Sequence, residues 1–146
     1  RLYQQHLLRL DNHIRKDGMT MKIMGFNPIV ITPKFYDAVK VFEDLGFEKK
    51  HAPVTDTGKH EVRTFRMKNE SGFVIDVSDI KDLPRDLTYV RINADDFDAA
   101  YSILAEHGFK NTRGDDTLDS KSYKEATMVS PSGLTIALVK HIKEHE

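Results

Sequence analysis

The sequence contains no cysteine. That excludes disulfides, thiolate metal sites and a cysteine nucleophile. No apolar run approaches the roughly 18 residues that cross a membrane as a helix, so no membrane contact is expected. Neither sign of charge is in excess: 22 Lys and Arg stand against 23 Asp and Glu, for a net charge of −1. Nucleic-acid binding by this segment is therefore not expected. A P-loop, a dinucleotide fingerprint and a nucleophile elbow are also missing. "RGDDTLDS" (113–120) is acidic but lacks the ligand spacing of an EF-hand loop. Without cysteine or a signal-peptide pattern, a cytoplasmic setting is expected. What remains is 146 residues, 39% apolar and 31% charged. That is a globular composition, sufficient for one domain or for two small modules sharing a core.

Residues 1–18, "RLYQQHLLRLDNHIRKDG", differ from the rest. Tyr3, Leu7, Leu10 and Ile14 are spaced by 4, 3 and 4 and form one apolar stripe on a short N-terminal helix. Two heptads are too short to stand alone. The helix must dock on its own domain, pair with a second copy, or continue an upstream element. The first residue is Arg rather than Met, which suggests a fragment, a processed form, or vector-derived residues ahead of Met19.

From residue 25 the pattern is regular. "FNPIVITP" (26–33) reads as a β-branched strand that ends at Pro33. "FYDAVKVFEDLGF" (35–47) reads as a helix, with Phe35, Ala38, Val39, Phe42 and Leu45 on one face and Gly46 as its stop. Phe47 to Ala52 starts a second strand, "TDTGK" turns, and "HEVRTFRMK" (60–68) and "FVIDVS" form a hairpin across "NESG". The order then recurs. "LTYVRINA" is a strand, and "DDFDAAYSILAEHGF" (95–109) is a helix with Phe97, Ala100, Tyr101 and Leu104 inward. Asp95 or Asp96 can cap that helix. A polar loop, "NTRGDDTLDSKS", leads to the strands "YKEATMVS" and "LTIALVKH" around the turn "PSG". Gly46 and Gly108 lie 62 residues apart, and Gly72 and Gly133 lie 61 apart. Each half is therefore β-α-β-β-β, and two halves that each cover one sheet face with one helix can join.

With these motifs in place, the sequence resembles the glyoxalase, bleomycin-resistance and extradiol-dioxygenase superfamily, the vicinal oxygen chelate proteins. "FYDAVKVFEDLGF" is similar to its helix-to-strand signature. "SPSGLTIALV" and "ESGFVIDVSD" are similar to its final hairpin, once per half. The resemblance implies an α+β fold: two βαβββ modules, residues 25–80 and 86–141, forming cupped mixed sheets within a domain spanning 25–141. It also implies a small-molecule ligand in the cup and a homodimer, and it points to a bacterial source.

Metal-dependent members of that superfamily place ligands early in the first strand and within the last strand of each module. In this sequence those places fall on Asn27, Asp76, Tyr89 and Ala137. Only Asp76 is a good hard-metal ligand, and a divalent ion normally needs three or more N or O donors. No metal, no cofactor and no catalytic residue are therefore assigned.

Strand alternation shows what else shares the cup face. Ile29 and Ile31 join Asn27, Val74 and Ser78 flank Asp76, Arg91 and Asn93 follow Tyr89, and Thr135 and Val139 flank Ala137. Val30, Phe73, Ile75, Val77, Val90, Ile92, Ile136 and Leu138 take the opposite, core face. Apolar walls with a few polar groups suit a small-molecule cavity. Its expected contacts are Asn27, Asp76, Tyr89, Arg91, Asn93 and Ala137. The same polar face could equally be open to water or filled by a partner chain, with Asp76 and Arg91 forming a structural ion pair. His60, Glu61, Arg63 and Arg66 read as solvated rim residues. His141 and His145, spaced i, i+4, read as a solvated tail.

Three functions fit this reading. The first is a metal-free small-molecule-binding protein, with Tyr89 as a stacking surface. The second is the ligand-sensing domain of a bacterial transcription regulator, with residues 1–18 as the end of a linker or dimerising helix. The third is a metal-dependent lyase, isomerase or dioxygenase of the same superfamily.

Overall fold

The computed structural model describes residues 21–52, 54–56, 61–114, 116–119 and 123–141. The helix expected over residues 1–18 lies outside them, as do His60 and His145. The elements run β1 (Ile23–Thr32), α1 (Phe35–Asp44), β2 (Glu48–His51), β3 (Val54–Asp56), β4 (Glu61–Lys68) and β5 (Val74–Asp79). They continue with β6 (Leu87–Ala94), α2 (Phe97–Glu106), β7 (Lys110–Asn111), β8 (Leu118–Asp119), β9 (Tyr123–Val129) and β10 (Thr135–His141). The class is α+β, as the pattern predicts. Three short strands depart from the sequence pattern. Val54–Asp56, which overlaps a stretch that reads as a turn, pairs with β4. The polar loop after α2 contributes β7 and β8, and both pair with β9. Polar side chains hide these segments in the sequence, yet their backbone groups still need partners, and β4 and β9 supply them.

The chain divides into two compact units, Asn27–Arg91 on the one hand and Arg1–Phe26 with Ile92–Glu146 on the other. In the unit Asn27–Arg91 the strand order is β2-β4-β5-β1, with β3 also on β4 and β6 beyond β1. β1 and β5 run parallel, and β4 is antiparallel to both β2 and β5. Alternation sends Val30, Phe65, Met67, Ile75 and Val77 to the helix side, where Phe35, Ala38, Val39 and Phe42 of α1 cover them. Phe35 is 1% exposed and meets the Phe65 ring edge-on at 4.8 Å. The fully buried Thr32 closes β1. Its hydroxyl donates to Asp86 Oδ1 (2.7 Å) and accepts from the Lys34 backbone N–H (2.9 Å). This satisfies an amide at the start of α1, which has no side-chain N-cap of its own.

In the other unit β9 and β10 form an antiparallel hairpin. Its core joins Ala94, Phe97, Ala100, Ala126, Met128 and Leu138, with Met21, Ile92, Tyr101, Leu104 and Phe109 around them. Asp96 caps α2 by accepting from Ala99 N–H at 3.1 Å. Asp95 instead accepts from Lys22 N–H at 2.8 Å.

The internal repeat recurs in the bonds that close the helices and the hairpin turns. At the end of α1, Phe47 N–H donates to Phe42 O (2.9 Å), and at the end of α2, Phe109 N–H donates to Leu104 O (3.0 Å). These are six-to-one bonds of the Schellman type, with glycine at the left-handed position: φ is 100° at Gly46 and 87° at Gly108. In the hairpin turns, Asn69 Oδ1 accepts from Phe73 N–H and Ser130 Oγ accepts from Leu134 N–H, both at 2.9 Å. That turn geometry corrects one core assignment. Alternation places Phe73 beneath the helix, but the residue precedes β5, still within the turn, and is 67% exposed. Leu45, at the C-cap of α1, is likewise exposed.

Replacing Phe35 by Ala removes a buried ring and its contact with Phe65. We expect a loss of about 3–5 kcal/mol of unfolding free energy, read as a lower urea midpoint with an unchanged slope.

Candidate functional site

Strand pairing places Arg66 of β4 directly across from Asp76 of β5, and Ile29 of β1 on the other side of Asp76. Asn27 is two residues before Ile29 on the same face, in the diagonal position that a side chain can still reach. Its amide donates to Asp76 Oδ2 at 2.9 Å and to the Pro28 carbonyl at 2.9 Å. Arg66 grips the carboxylate at two points, Nε to Oδ1 at 3.1 Å and Nη2 to Oδ2 at 2.9 Å. From β6, Arg91 Nε stands 3.6 Å from Oδ2. Beside this cluster Thr64 and Ser78 share a hydroxyl hydrogen bond of 2.7 Å.

Asp76 is 3% exposed and Asn27 is also buried. The Arg91 side chain is 12% exposed and that of Arg66 34%. An isolated buried carboxylate would cost far more than a strand can absorb. Here three hydrogen bonds and two guanidinium charges hold it, and charge-assisted two-point pairing of this kind is the strong form of the contact. Asp76 is thus held in place by the protein itself. Its partner Arg66 reads from the sequence as a solvated rim residue, and the structure corrects that. The signal in the sequence is register: in a hairpin turning at "NESG", positions 66 and 76 fall opposite one another.

The other expected contacts are placed as follows. Tyr89 is half-buried on β6, two residues before Arg91 and in the same unit. Asn93 and Ala137 belong to the other unit. Asn93 is half-buried, and Ala137 is buried opposite Thr127 of β9. His141 is exposed at the end of β10. In that unit an open pocket of about 330 Å³ is lined by Asp96, Phe97, Asp98, Lys124 and Lys140. It contains none of the expected contacts. Its two acidic and two basic side chains balance, and Asp96 is already used as the helix cap.

The four places that the resemblance assigns to metal ligands do not fit a metal ion. Asp76 already holds a cation, the Arg66 guanidinium, at both oxygens. Asn27 turns its N–H toward that carboxylate, and Ala137 has no donor atom. Among the described residues, no three His, Asp or Glu side chains stand together as a metal site requires. No helix among them is long and apolar enough to cross a membrane.

The sequence matches no family model and no curated protein. Solved structures do resemble the chain. The methylmalonyl-CoA epimerase of Mycobacterium tuberculosis superposes with a TM-score of 0.64 at 14% identity, covering 83% of this chain and 90% of that one. A single-substitution variant of the Streptomyces coelicolor methylmalonyl-CoA epimerase, in complex with 2-nitronate-propionyl-CoA, gives 0.60 at 12% identity, covering 84% and 100%. A glyoxalase/bleomycin resistance protein/dioxygenase superfamily member from Vibrio splendidus 12B01 gives 0.55 at 14% identity, covering 82% and 99%. The chain has the vicinal oxygen chelate fold.

The cluster yields a double-mutant test. Asp76→Ala leaves Arg66 and Arg91 without their shared carboxylate and should cost about 3 kcal/mol in urea unfolding. Adding Arg66→Thr to Asp76→Ala should cost less than Arg66→Thr costs alone, with a coupling of about 1 kcal/mol or more. Additive losses would mean that the pair is energetically idle.

Proposed function

We propose that this chain is a metal-independent small-molecule-binding domain. One observation carries the reading: the single carboxylate at the four ligand places is neutralised by arginine, so the polar face of the Asn27–Arg91 unit offers positioned N–H donors rather than metal ligands. Such a face, with the half-buried Tyr89 two residues from Arg91, has the make-up of a site that orients an organic molecule. The binding of 2-nitronate-propionyl-CoA by the similar Streptomyces epimerase supports a small-molecule ligand for this fold. A homodimer is part of the same proposal. Met24 and Phe26 of β1, 64% and 70% exposed, are apolar side chains that such a contact would cover.

The test combines two measurements on protein purified without chelators. Elemental analysis should find no stoichiometric Zn, Ni, Fe or Mn. A thermal-shift screen of propionyl-CoA and neutral aromatic compounds should find at least one stabilising ligand. Tyr89→Ala should weaken that stabilisation without lowering the midpoint of the free protein by a comparable amount. A tightly held metal ion, or ligands that stabilise Tyr89→Ala as much as the parent, would overturn this assignment.

A further inference from the structure

The two halves offer an internal control on the Arg66–Asp76 pair. The 61-residue offset that carries Gly72 to Gly133 carries Asp76 to Ala137 and Arg66 to Thr127. Arg66 and Asp76 are cross-strand partners in β4–β5, and Thr127 and Ala137 are cross-strand partners in β9–β10. The same hairpin therefore forms in the same register with a small, uncharged pair at this spot. Hairpin formation does not require the charges. A buried ion pair is often no better for stability than a well-packed apolar substitute, so stability alone does not account for it either.

The geometry shows what the charges accomplish. Asp76 engages Nε and one N–H of Nη2, two of the five guanidinium N–H groups. Among the described residues no other hydrogen bond to this guanidinium is formed. The remaining donors lie on a side chain that is 34% exposed, whereas its anchor is 3% exposed. His51 of β2, also exposed, lies directly across from Arg66 on its other side. A guanidinium held in one orientation by a buried carboxylate loses little freedom on meeting a second acceptor, and its planar fork matches an oxyanion.

Building on the small-molecule reading above, we propose that Arg66 is the anion-reading residue of the site, that the ligand carries a carboxylate or phosphate group, and that Asp76 is a positioning residue rather than a ligand contact. Asp76 acts by fixing the arginine's orientation, and Asn27 fixes Asp76.

The probes are benzoate, its uncharged isostere benzamide, and inorganic phosphate, titrated at low ionic strength into the wild type, Arg66→Gln and the double variant Arg66→Thr/Asp76→Ala. Binding is read by chemical-shift changes in NMR spectra, which also report whether each variant is folded. The amide of Arg66→Gln can still donate to Asp76, and the double variant copies the pair that the other hairpin already carries. The wild type should bind benzoate at least tenfold more tightly than benzamide. Both variants should lose that preference while retaining the affinity for benzamide. Phosphate displacing benzoate more effectively than benzoate displaces phosphate would make the recognised group a phosphate, and the reverse a carboxylate. If the wild type binds benzamide as well as benzoate, or Arg66→Gln keeps the preference, the anion assignment falls and the small-molecule reading survives. If the wild type binds none of the probes, the anion assignment falls, and the fate of the broader reading then rests on the propionyl-CoA and aromatic screen.

Discussion

A carboxylate in the middle of a buried strand has to be neutralised where it stands, because it is almost wholly withdrawn from solvent and no strand can move it aside. In this chain that requirement organises one face of a sheet. Asp76 is flanked by β1 and β4 in the backbone ladder, and each side answers it: Arg66 from β4 with two hydrogen bonds, Asn27 from β1 with one, and Arg91 from β6 with its charge. The opposite face of the same strand, Ile75 and Val77, packs under α1 with Phe35 and Met67. β5 is therefore covered on both faces by chemically different means, and a one-residue slip would exchange them. Register and charge pairing reinforce each other.

The repeat of helix ends and turns shows which parts of the design are generic. The bonds closing α1 and α2 recur with the same partners 62 residues apart, and the turns at Asn69 and Ser130 use the same side-chain-to-amide bond. These positions need a left-handed residue and a short polar acceptor whatever the site does. Gly108 has a further constraint, since a Cβ there would stand 3.2 Å from Pro131 Cγ. Within that shared frame the equivalent positions of β5 and β10 diverge. Asp76 and Ser78 correspond to Ala137 and Val139, all of them buried. One half keeps a polar face and the other fills the equivalent strand with aliphatics.

Much of this is legible without the structure. Helical spacing of three and four locates both helices, because each has one face to bury. Alternation locates the strands of the two hairpins for the same reason. β3, β7 and β8 are not legible, since two- and three-residue edge strands form from backbone need and leave no side-chain pattern. Phe73 misleads because alternation, extended one residue into a turn, no longer governs direction. At the site, position counting finds Asp76, but its main partner is not legible because Arg66 lies on another strand. Arg66 carries no local signature: an arginine in an alternating strand looks solvated until its cross-strand neighbour is known to be an aspartate.

On the metal-independent proposal, the pairing also changes the kind of site expected here. A metal ion and a guanidinium both neutralise a carboxylate, but they leave different things behind. An ion bound to several protein ligands presents open coordination positions to a substrate, with its charge concentrated at one point. A guanidinium held by one carboxylate presents N–H donors in a plane, with its charge spread over three nitrogens. The first favours polarising a reacting oxygen, and the second favours recognising an oxyanion by shape and orientation. On the metal-independent proposal a guanidinium stands in place of an ion, and Ala137 and Asn27 support that proposal as much as Arg66 does. Asp76, buried in its strand, finds a cation within the chain, and Arg66 directly across the strand delivers both ends of a fork to it.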